Sequence, residues 1–172
     1  ALYELFAREQ EQRIRRSLFF PAGNYVISDT IKIPTYAKIV GEGPNSTTIT
    51  SSDATGPVAQ TADSLQQVDA TVGSNSGIRP SYITIEGMSF TSTTDINTFV
   101  VDQAKGCTFT NCAFAGPNTT VPTTVGNSKA NVLLSSTGSH ETEFVTFRNC
   151  TMHGQNFNVI AVFNRINRGL EV

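Results

Sequence analysis

Ile83 to Phe90 read ITIEGMSF, Cys107 to Phe114 read CTFTNCAF and Val145 to Met152 read VTFRNCTM, and the three segments superpose without a gap. Apolar residues hold the first, third, sixth and eighth places of each. The fifth place is Gly87, Asn111 or Asn149, residue types that enter the left-handed backbone region at least cost. Alternation with period two marks a strand, and here it slips by one residue at the fifth place. Each segment is therefore two short strands joined by a corner. A strand that turns a corner and recurs along the chain predicts an all-β solenoid.

The repeat also sets the size of a coil. Cys107 lies 24 residues beyond Ile83, room for three short strands and three turns. Val145 lies 38 residues beyond Cys107, which implies about 14 inserted residues. The turn-rich stretch AGPNTTVPTTVGNSK after Phe114 is the place for them, and a second polar stretch runs from Thr50 to Ser81. Read this way, insertions at about 50–81 and 115–130 leave the solenoid from the same corner. A weaker repeat, Asn97-Thr-Phe-Val, Asn131-Val-Leu-Leu and Asn158-Val-Ile-Ala, opens the strand that follows.

Register then assigns the core. Ile83/Cys107/Val145, Ile85/Phe109/Phe147, Met88/Cys112/Cys150 and Phe90/Phe114/Met152 are inward columns, with about 4.8 Å between coils. Thr84/Thr108/Thr146 form an outward threonine column. The three cysteines are too few for a disulfide framework. Cys112 and Cys150 share a column, at a spacing of about 5 Å that a disulfide permits, and the expectation is core thiols left free.

The 172 residues suffice for a single domain with a sizeable core. Charged residues are 15% of the chain and the net charge is −2, so no basic stripe for nucleic acid stands out. No apolar run is long enough for membrane insertion through a helix. The chain starts at Ala1 and stops just past an apolar run, which reads as a piece of a longer protein.

Leu2 to Arg16 carry an apolar stripe of Leu2, Leu5 and Phe6 and acid-before-base pairs four apart, Glu4/Arg8, Glu9/Arg13 and Glu11/Arg15. These predict a helix over residues 1–17 that lids the open end of the solenoid, with the coils occupying 18–172. Strands are expected at Leu18–Phe20, Tyr25–Ile27, Ile31–Ile33, Lys38–Val40 and Thr47–Thr50, between Pro, Gly and Asn turns.

The order of an Arg-rich helix end, LFFPAGNYVIS, IKIP, IVGEG and TTI resembles the N-terminal coils of the pectate-lyase-like right-handed β-helix superfamily, above all its phage tailspike and tail-appendage branch. The resemblance covers residues 1–49 and the repeats extend it to Met152. It implies a right-handed, single-stranded parallel β-helix behind an N-terminal capping α-helix. It further implies a homotrimer, a virion or extracellular location, and work at a bacterial surface polysaccharide.

Chemistry is harder to read. Catalysis on polysaccharides calls for two opposed carboxylates or a calcium-assisted base. Glu141 and Glu143, two apart and so about 7 Å apart on one strand face, are the catalytic candidates. His140 and His153 have no third ligand at metal spacing, so neither a metal nor another cofactor is expected. Tyr36 and Tyr82 are the candidate exposed platforms for sugar binding. Gly87, Asn111 and Asn149 are structural. Three functions stay open: a receptor-facing virion module, a depolymerase (lyase or glycoside hydrolase) with its active site mostly elsewhere, and a secreted adhesion module.

Overall fold

The computed structural model describes residues 17–52, 55–61, 80–117, 129–136, 141–154, 158–163 and 168–171. The first coil is β1 (Ser17–Phe20), β2 (Gly23–Ile27) and β3 (Ile31–Ile33); the second is β4 (Lys38–Gly41), β5 (Thr47–Ser51) and β6 (Ala59–Thr61). The third is β7 (Thr84–Glu86), β8 (Ser89–Ser92) and β9 (Phe99–Asp102). The fourth is β10 (Lys105–Thr110), β11 (Ala113–Ala115) and β12 (Ala130–Ser135). The fifth is β13 (Glu143–Arg148), β14 (Thr151–His153) and β15 (Asn158–Phe163), and β16 (Arg168–Glu171) opens a sixth.

The first strands of the coils stack into sheet A, the second into sheet B and the third into sheet C, and every pairing is parallel. This is a parallel β-helix. Residues 1–16 of the helix expected over 1–17 lie outside the described residues, and Ser17 opens β1 instead.

The register is the one read from the repeat. Phe109 faces Ile85 on one side and Phe147 on the other, and Phe114 lies between Phe90 and Met152. The corner residues take left-handed values: φ is 65° at Gly87, 52° at Asn111 and 52° at Asn149. Glycine is required at the first of these, because a Cβ on Gly87 would sit 2.6 Å from the Gly41 carbonyl oxygen. The asparagines tolerate the conformation and are exposed.

Inside, one phenylalanine from each sheet meets the other two. Phe99 stands edge-on to Phe109 at 5.1 Å and to Phe114 at 5.7 Å, while Phe109 and Phe114 are 5.6 Å apart. Along the axis, Phe109 stacks on Phe147 at 5.0 Å and Phe90 on Phe114 at 5.8 Å. Phe90, Phe99, Phe109 and Phe114 are fully buried. T-shaped contacts around the bore and offset stacks along it both suit the ring quadrupole.

Two expectations need correcting. The stretch 50–81 is not all insertion, since β6 lies within it and pairs with β3 and β9. Its short inward set, Ala59 and Thr61, is too small and polar to signal a strand by periodicity. The long connection from β6 to β7 therefore leaves from the C-to-A corner, whereas that from β11 to β12 leaves from the B-to-C corner. They do not share an exit. The weak asparagine repeat is also shifted: Ala130 pairs with Asn158 and Val132 with Phe99, so Asn97 and Asn158 share a column and Asn131 falls one place on. Asn131 is buried, and its Nδ2 donates to the carbonyls of Phe114 and His153, which ties sheet C to the end of sheet B.

Candidate functional site

Where sheet C hands the chain to sheet A, four residues in equivalent places of successive coils adopt a left-handed backbone, Tyr36 (φ 62°), Tyr82 (56°), Gly106 (72°) and Phe144 (55°), and Gln103 (51°) does so three places before Gly106. The pairing of β4, β7, β10 and β13 puts these four in one row, two places before the row Lys38, Thr84, Thr108 and Thr146. Hydrogen bonds across the coils hold the conformation. The Tyr36 amide donates to the Ser81 carbonyl and the Tyr82 amide to the Lys105 carbonyl, each at 2.8 Å.

Three aromatic side chains thus stand where glycine would be relaxed, at a strain on the order of 1–2 kcal/mol each. Part of it is recovered locally. The rings of Tyr36 and Tyr82 stack with centroids 5.8 Å apart and planes 7° from parallel, a contact worth about 0.5–1.5 kcal/mol. Tyr82 is 48% exposed and Phe144 53%. Gly106 is the missing rung. A Cβ there would lie 3.3 Å from Tyr82 Cδ1, so the tyrosine ring leans over the glycine.

Charge frames the row. Lys105 and Glu143 are register partners, with Nζ 4.0 Å from Oε2, and the same ammonium lies 6.0 Å from the centre of the Phe144 ring. A pair this exposed contributes little to stability, about 1 kcal/mol at most. Its effect is to place a donor and an acceptor beside the aromatic row. Glu141 precedes β13, and Thr142 between the two glutamates is buried with its hydroxyl donating to the Ser135 carbonyl.

Next to this corner, inside sheet C, lies a polar network centred on Asp102. The Asp102 carboxylate is 8% exposed; it accepts from Ser135 Oγ at 2.8 Å and from Gln103 Nε2 at 3.4 Å. The Asp102 backbone amide and carbonyl are both bonded to Thr61 Oγ1. Half-buried Lys32 faces the same field: burial pulls its pKa below the usual lysine value and the Asp102 charge pushes it back up. At the B-to-C corner an open groove of about 430 Å³ is lined by Thr91, Ser92, Thr93, Ala115, Gly116, Pro117, His153 and Gly154. Among the described residues no three His, Cys, Asp or Glu side chains converge.

Of the candidates named from sequence, the structure brings Tyr36 and Tyr82 together and places Glu143 near Phe144, through Lys105. Gly106 and Phe144 were not foreseen as members of the row. Their signal was present: Tyr82, Gly106 and Phe144 each occupy the place just before the first place of the repeat.

Stacked parallel sheets joined by tight left-handed corners make the chain a parallel β-helix. The chain belongs to the family described as rhamnogalacturonase A/epimerase, pectate lyase-like, whose model matches residues 8–168. No curated protein matches the chain, and no solved structure does.

Proposed function

We propose that this β-helix holds a surface glycan against the row Tyr36, Tyr82 and Phe144 and the threonine row beside it, as the rigid module of a tailspike-like or tail-appendage protein at the bacterial surface. The observation that carries the reading is the aromatic row itself: rings exposed at Tyr82 and Phe144, and half-buried at Tyr36 rather than exposed as expected, in a backbone conformation that disfavours them. Strain of this kind collects at functional sites. Ring faces take up the C–H surface of a sugar, while Thr84, Thr108 and Thr146 offer hydroxyls along the same line, one per coil at about 4.8 Å. The Lys105–Glu143 pair adds one donor and one acceptor. Assembly into a homotrimer and location in the virion belong to the same proposal, supported by the likeness of residues 1–49 to the tailspike branch.

Calorimetric titration with purified capsular and O-antigen polysaccharides tests it. Tyr82→Ala and Phe144→Ala should each weaken binding about tenfold, the loss of roughly 1.4 kcal/mol of contact. Equal affinity for the variants and the parent chain would remove this row from the function. The same incubations, assayed for reducing ends or unsaturated products, address the depolymerase reading. Cleavage abolished by Glu141→Gln or Glu143→Gln would replace the binding module with an enzyme.

A further inference from the structure

The A-to-B corner carries a feature independent of glycan binding. Cys112 and Cys150 each follow a left-handed asparagine and occupy equivalent places on neighbouring coils, as the Ala113–Thr151 pairing fixes. Their Cα atoms are separated by one coil rise, about 4.8 Å, inside the 4.4–6.8 Å window of disulfides. The surroundings of the two sulfurs differ. Cys112 is 1% exposed, with its Sγ 3.3 Å from the Thr110 carbonyl and 3.5 Å from that of Ile85. Cys150 is half-buried and opens toward solvent, with its Sγ 3.4 Å from the Arg148 carbonyl.

The Cys150 Sγ also lies 3.5 Å from the Phe109 carbonyl, so both thiols sit against backbone carbonyls of the same corner. The neighbouring Cys112 side chain draws the Cys150 pKa down to about 6, opposed by burial and helped by the Cys112 and Arg148 backbone. The Cys150 side chain and burial push Cys112 upward, so it keeps its proton. A thiolate that is partly exposed, beside a protonated thiol one coil away, has the parts of an oxidisable pair: an attacking sulfur and a resolving one.

We propose that Cys150 is a peroxide-reactive modification site, resolved by Cys112 into a disulfide that staples the fourth coil to the fifth. The Cys150 thiolate attacks one oxygen of hydrogen peroxide, the O–O bond breaks, and hydroxide leaves and takes up a proton to become water. Cys150 is then a sulfenic acid. The Cys112 sulfur attacks the Cys150 sulfur, the S–O bond breaks, and the departing hydroxide combines with the Cys112 proton as a second water. Two thiols are oxidised to one disulfide and one peroxide is reduced to two waters.

The test is peroxide treatment of the full chain, followed by thiol titration under denaturing conditions and intact mass. The expected result is a fall from the three thiols of the chain to the single buried Cys107, with a mass lower by about 2 Da. Cys112→Ser should instead stop at a dimedone-reactive sulfenic acid on Cys150, and Cys150→Ser should keep both remaining thiols under the same dose. Alkylation of Cys150 in the untreated chain should follow a titration centred near pH 6. Three thiols remaining after treatment, or alkylation that rises only above pH 8 as for an ordinary cysteine, would overturn the proposal. Both variants are near-isosteric, and a melting curve for each distinguishes an unfolded chain from an unreactive one.

Discussion

Asn149 holds φ at 52° on an exposed corner, so a substitution there reports on backbone conformation with little loss of packing. Valine cannot adopt that conformation cheaply, and Asn149→Val should destabilise the chain by about 1–2 kcal/mol. Asn149→Gly should be neutral within about 0.5 kcal/mol, because relief of strain offsets the greater freedom of the unfolded chain. Thermal melts of the two variants check the pair, and equal loss in both would mean that the side chain, rather than the backbone, matters. The residue type announced this corner in the sequence. The aromatic corner was silent for the opposite reason: tyrosine and phenylalanine rarely take positive φ, so nothing in Tyr36, Tyr82 or Phe144 as residue types marks a left-handed turn. At Tyr36 and Tyr82 the conformation is held by carbonyls of the neighbouring coil, at Ser81 and Lys105.

Among the strands, β10 supplies a core side chain that meets every sheet. Phe109 stacks on Phe147 and meets Phe99 and Phe114 edge-on, so it touches all three walls of the bore. Phe109→Ala should cost about 3–5 kcal/mol, read from urea denaturation with unchanged m-value. Phe147→Ala, 4% exposed and with fewer ring partners, should fall at or below the same range. Strands of this kind were legible, since alternating Phe, Ile and Val between glycine and asparagine corners leave few alternatives. β1 to β5 were found within two residues at each end. β6 was missed because Ala59 and Thr61 fill the bore with a methyl and a hydroxyl group, and Thr61 is there to bond the Asp102 backbone rather than to pack. The shifted asparagine repeat has a similar cause. Asn131 is buried for its amide donors, a role that sequence spacing does not distinguish from that of the corner-forming asparagines.

For the whole molecule, each coil touches only its neighbours, so stability accumulates along one axis and is lost along it. Trimer formation, proposed above, adds contacts across that axis. Sedimentation at micromolar concentration should show a single species near three times the 18.5 kDa chain; a monomer throughout would limit the proposal to a lone module. The C-to-A corner carries both the aromatic row and the long β6-to-β7 connection. The residue types of the row could be seen in the sequence, but its assembly depends on register across four coils, which no single segment contains.

The unequal corners make the rod a carrier. At Gly87-Met88, Asn111-Cys112 and Asn149-Cys150 the chain passes from sheet A to sheet B in two residues, and one residue more would turn every following side chain of sheet B to the wrong face. Between β6 and β7, and between β11 and β12, the connections are long, and the strands that follow them still pair in register with the coil before. A foreign loop spliced there would ride as cargo, displayed at a chosen height on a scaffold whose coils need not change to hold it.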